Sequence, residues 1–128
     1  MNLYIWAVIA GGALGAVVRY LLVQYMPRAR SGFSWGIFTA NVAGSGVLAI
    51  LTAASMVATT NGGDLPAAAI GLVGVGFCGA LTTFSTFSTD TVGLLRAGHL
   101  KGAATYVGLS IMSALVLVTA IFLLMLNI

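Results

Sequence analysis

Four long apolar runs, parted by short polar loops, pattern this chain. They cover approximately residues 3–26, 35–58, 67–95 and 102–127. Each is long enough to cross roughly 30 Å of hydrocarbon at about 1.5 Å per helical residue. The pattern predicts an all-α integral membrane protein with four transmembrane helices, in one domain spanning residues 1–128. No Lys or Arg precedes the first run, so it lacks the basic start of a signal peptide and is expected to be retained. Trp35 opens the second run and suits the interfacial aromatic belt.

The third run departs from the pattern. Gly79-Ala80-Leu81-Thr82-Thr83-Phe84-Ser85-Thr86-Phe87-Ser88 holds five hydroxyl residues in the seven positions from Thr82 to Ser88. Such side chains compete for helical backbone hydrogen bonds and do not suit a lipid-facing surface. The expectation is a third helix broken in mid-membrane over Gly79–Thr83, resuming at Ser85 to Ser88 with its hydroxyls and two phenylalanines turned inward. A break there exposes amides and carbonyls, and survives where protein or a water-filled cavity covers it.

Composition agrees with the class. The chain is 60% hydrophobic and 5% charged, with mean hydropathy +1.12. The net charge of +3 rests on a few residues at segment ends, so it speaks to topology and not to nucleic acid. Cys78 reads as a small buried hydrophobe and His99 as a solvated loop residue. Gly11 with Gly15, and Gly12 with Ala16, are small-xxx-small pairs that allow close helix packing. Gly74-Val75-Gly76-Phe77-Cys78-Gly79 matches a dinucleotide fingerprint by spacing. It lies in a membrane run with no preceding strand, so its glycines serve packing.

The chemistry is that of a non-enzyme. The only acids, Asp64 and Asp90, are unpaired in sequence, and no nucleophile–base set or Cys/His cluster appears. The interior offers neutral donors instead: Thr39, Asn41, Ser85, Thr86, Tyr106 and Ser110. Phe84 and Phe87 stand at i,i+3 on one helical face, and phenyl edges are electropositive. Amides, hydroxyls and ring edges suit a small, strongly hydrated anion, which a fully charged lining would hold too tightly. Arg19 is either an arginine snorkelling to an interface or a positive charge at a pore mouth. Asn41 either joins helices or faces the ion.

At these residues the chain resembles the Fluc (CrcB) fluoride channels. The resemblance rests on the Gly79–Ser88 run, on Gly36-x-x-Thr39-x-Asn41-x-x-Gly44 and on Gly15-x-x-x-Arg19, and it covers the whole chain. It implies passive fluoride export that protects the cell from fluoride toxicity. It implies an antiparallel, dual-topology homodimer in the cell membrane, with two pores and lipid around it. It places Phe84, Phe87, Asn41, Tyr106 and Ser110 on the fluoride path. A central structural Na⁺, not transported, would be held by the backbone carbonyls of Gly79 and Thr82. The chain departs from the family pattern at Ile37 and Ala114, where some members carry a hydroxyl.

Arg28, Arg30, Arg96 and Lys101 fall in the first and third loops, on one side of the membrane. The bias favours one orientation, with both termini outside. The homodimer tolerates this, or the partner is a homologue inserted the other way up. The rival reading is a small proton-coupled exporter of dual topology. It needs an intramembrane carboxylate, for which Asp90 is the only candidate. A non-transporting membrane subunit would leave Asn41 and the hydroxyl run without a purpose.

Overall fold

The computed structural model describes residues 2–127, which are all helix and loop. Helix α1 is Asn2–Tyr25 and α2 is Trp35–Thr60. A third helix, α3, covers 67–81: Ala67–Ala69 is α-helical, Ile70–Cys78 is π-helical and Gly79–Leu81 returns to α. Helix α4 is Phe84–Arg96 and α5 is Leu100–Leu126. Four stretches are long and apolar enough to span a bilayer: Asn2–Tyr25, Trp35–Thr60, Ala67–Arg96 and Leu100–Met125. The protein is a multi-pass membrane protein. Large apolar side chains such as Leu3, Trp6, Val116 and Leu124 lie exposed around it, as lipid contact requires.

The helices are joined by turns that the sequence specifies. Gly98 adopts φ +78°, a left-handed conformation that costs glycine little. The Gly98 N–H donates to the Leu95 carbonyl at 3.1 Å, and His99 N–H to the Leu94 carbonyl at 2.9 Å. That is the Schellman ending of α4, and it turns the chain straight back into α5. The turn therefore sets Leu94 of α4 against Ala103 and Tyr106 of α5. These join Phe33, with Phe38 and Phe87 packed alongside, in a buried cluster.

Helices α1 and α3 meet almost backbone to backbone. A Cβ added at Gly11 would overlap the Leu72 carbonyl, and one at Gly15 the Phe77 carbonyl. Gly12 meets only the Gly76 carbonyl, at 4.0 Å, so the close pair is Gly11 and Gly15. This contact sets how closely α1 and α3 approach just ahead of the hydroxyl run. Gly11→Ala or Gly15→Ala should cost about 1–3 kcal/mol by overpacking. Thermal unfolding in detergent checks this against Gly108→Ala, where a Cβ would meet nothing within 4 Å. Equal melting of Gly11→Ala and Gly108→Ala would refute it.

Candidate ion pathway

The helical backbone lapses at two residues. Thr82 has φ −79°, ψ 151°, and Thr83 has φ −150°, ψ 121°, both extended. The lapse is narrower than expected: Gly79 keeps helical angles of −62° and −34°, and the helix runs on through Leu81. The Thr82 N–H still reaches the Cys78 carbonyl at 3.0 Å. Its hydroxyl donates to the same oxygen at 2.9 Å. The turn ends one residue later because the Thr83 N–H finds a different acceptor.

That acceptor is Asn41 on α2. Thr83 N–H donates to Asn41 Oδ1 at 2.7 Å, and Asn41 Nδ2 donates to the Thr83 carbonyl at 3.2 Å. A primary amide presents the same donor–acceptor edge as a backbone unit, so one side chain satisfies both groups of the extended residue. Asn41 thus joins two helices, as one of its two sequence readings held. The amide has a second N–H, which this pairing does not use.

Thr83 also starts α4. Its hydroxyl accepts from the Thr86 N–H at 3.3 Å and donates to Thr86 Oγ1 at 3.2 Å. It lies 3.2 Å from the Ser85 hydroxyl. Thr83 is a site residue that the sequence reading left out. Its signal was the spacing Thr83-x-x-Thr86, the N-cap to N3 interval of a helix start.

Arg19 reaches this point from α1. Its Nη1 donates to the Thr82 carbonyl at 3.3 Å. The charge is therefore committed to the extended segment rather than to an interface.

Asn41, Gly79, Thr82, Thr83, Phe84 and Phe87 line one cleft of about 360 Å³. Phe84 is 80% exposed there, with its ring 6.1 Å from that of Phe87. Phe87 lies 5.2 Å from the Tyr106 ring on α5. Tyr106 is fully buried and Ser110 nearly so, one turn further on. Neither hydroxyl makes a hydrogen bond among the described residues. Thr86 lines a second cleft of about 350 Å³ with Arg19, Arg28 and Ser34. Thr39 lies half-buried on α2 and lines neither cleft, and Ser85 is exposed. The structure thus brings Asn41 into one cleft with Phe87 and sets Tyr106 against its ring, while Thr86 lies in the other cleft and Thr39 apart; Phe84 and Ser85 do not turn inward as expected.

Among the described residues no cluster of His, Cys, Asp or Glu could hold a metal ion. Main-chain oxygens could. Because the Thr83 N–H goes to Asn41, the Gly79 carbonyl loses the partner four residues on that a continuous helix would give it. Nothing would lie within 4 Å of a Cβ at Gly79, so the position is open. A carbonyl at a helix end in open space fits a hard cation. The Thr82 carbonyl shares its capacity with Arg19.

The molecule is a four-span membrane protein with a polar cleft lined in part by two phenylalanines. The chain matches the family described as CrcB-like protein, Camphor Resistance (CrcB), over residues 6–122, and it belongs to that family. It is 42% identical over 105 residues to a protein of Rhodococcus jostii named fluoride-specific ion channel FluC 2, covering 82% of this chain and 83% of that one. A fluoride-specific ion channel FluC of Nitrobacter winogradskyi is 42% identical over 104 residues, 80% of this chain and 79% of the other. One of Halobacterium salinarum, FluC 1, is 41% identical over 118 residues, 87% of this chain and 90% of the other.

Proposed function

We propose that this protein is a fluoride channel that lets fluoride leave the cell passively. The observation that carries the reading is the pair of buried hydroxyls, Tyr106 beside the Phe87 ring and Ser110 one turn on, neither with a hydrogen-bond partner among the described residues. A buried hydroxyl left unpaired costs about 1–3 kcal/mol. Such a cost is offset when a passing anion accepts the bond. Fluoride must shed its water, and hydroxyls, a spare amide N–H and ring edges replace that shell without fixing the ion. The relatives' names supply the identity of the anion.

The working unit in this reading is an antiparallel dimer of single-domain subunits, with the lapse at Thr82–Thr83 at mid-membrane and two pores. Phe84, exposed in the single chain, is then covered by the partner. A homologue of opposite orientation is the other possible mate. A central Na⁺ would be held by the carbonyls of Gly79 and Thr82. When bound it supplies positive charge that keeps opposed carbonyl dipoles together. Arg19, bonded to the Thr82 carbonyl, limits how much of that oxygen the ion takes.

Purified protein in liposomes should release fluoride down its gradient with no accompanying proton flux. Release coupled to protons would favour the exporter reading, and no release would reject the channel. A second set of vesicles replaces Na⁺ with a large organic cation. Weaker assembly and slower release are expected; indifference to the swap would remove the cation while leaving the pores.

A further inference from the structure

Asp90 poses a problem for the function proposed above. It lies one turn beyond Phe87 on α4, and its side chain is only 4% exposed. An ionised carboxylate beside an anion path repels the ion, and burial strengthens the repulsion. Among the described residues Asp90 Oδ2 has no hydrogen-bond partner. Among the described residues its Oδ1 is met by one group, the guanidinium of Arg28 in the loop between α1 and α2. The two residues are 62 positions apart in sequence.

Arg28 occupies a junction. It lines the cleft that holds Arg19 and Thr86. It also lines a separate cavity of about 480 Å³ that holds Arg30, Asp90 and His99. Its side chain is 62% exposed, so it faces both solvent and the buried acid.

We propose that Arg28 is the counter-charge that lets an anion pass Asp90, and so acts as a positioning and selectivity residue at the loop-side mouth of the Tyr106–Ser110 path. It acts through Asp90 and does not itself have to bind the ion. With Arg28 in place, the acid contributes little net field to the path. An arriving anion meets a neutral pair instead of a bare carboxylate, and the exposed part of the guanidinium draws it in. The inference rests on the channel reading and adds the residue that makes its one buried acid compatible with anion flow.

The test is fluoride release from liposomes, net of leak from protein-free vesicles, using dimer-sized material from gel filtration. Arg28→Gln is expected to slow release on the order of tenfold or more, because it uncovers a buried charge. Arg28→Lys keeps the charge and should stay within about threefold of wild type. The decisive variant combines Arg28→Gln with Asp90→Asn. It buries no charge, so it is expected to fold even if Arg28→Gln alone does not, and to regain near wild-type release. A role of Arg28 in folding alone would not be rescued at Asp90. Wild-type speed in Arg28→Gln, or slow release in the double variant, overturns the proposal. Wild-type vesicles that pass no fluoride overturn the channel reading and this inference with it.

Discussion

Replacing either phenylalanine of the cleft by isoleucine, Phe84→Ile or Phe87→Ile, should slow fluoride release from liposomes by about tenfold or more while the protein still assembles. A factor of ten corresponds to about 1.4 kcal/mol on the barrier. Ring-edge interactions are worth about 0.5–1.5 kcal/mol beyond area burial, so one lost ring comes close to that figure. Isoleucine keeps bulk and apolarity, so the change removes the polarised edge more than the packing. The two positions should differ in stability. Phe87 packs against the buried cluster and lies 5.2 Å from the Tyr106 ring. Phe84 is 80% exposed in the single chain. Within one subunit Phe87→Ile should therefore lower the melting temperature more than Phe84→Ile, and in the proposed dimer, where the partner covers Phe84, both should lower it. Release at wild-type speed from both variants would remove the rings from the path.

The legible part of this molecule was what periodic composition encodes. Four apolar runs gave four membrane-spanning stretches because nothing else can satisfy the backbone in hydrocarbon. Small-residue spacing marked Gly11 and Gly15 for close helix packing, and the structure supplies the partner, α3. The hydroxyl run marked the lapse, but not its place. Glycine can leave a helix, yet Gly79 stays helical, and Thr82 and Thr83 become extended because Asn41 offers Thr83 a matching amide edge. That partner is 42 residues away, and no local propensity reports it. The Arg28–Asp90 pair was hidden for the same reason. Each is an isolated charge in sequence, and only the return of the chain through the Gly98 turn puts α4 beside the first loop's cluster at Phe33.

Asn41 should separate two roles that one residue fills. As a clamp it pairs with both backbone groups of Thr83; as a lining residue it offers a spare N–H to an anion. Asn41→Ser is too short to reach Thr83 and leaves two backbone groups unpaired, at about 1–3 kcal/mol each. It should melt at a clearly lower temperature, yet place no charge on the path. Asn41→Asp still accepts from the Thr83 N–H but loses the donor and sets a carboxylate against the Thr83 carbonyl. It keeps about half of the clamp and puts a negative charge in the cleft shared with Phe84 and Phe87. The two orders should therefore cross: Asn41→Ser the less stable, Asn41→Asp the slower in fluoride release, again by about tenfold or more from repulsion at close range. Melting curves and liposome release on the same preparations check this. Should release instead follow stability, with Asn41→Asp the faster of the two, Asn41 would be a clamp for the extended segment and nothing more, and the anion's donors would have to be the hydroxyls of Tyr106 and Ser110.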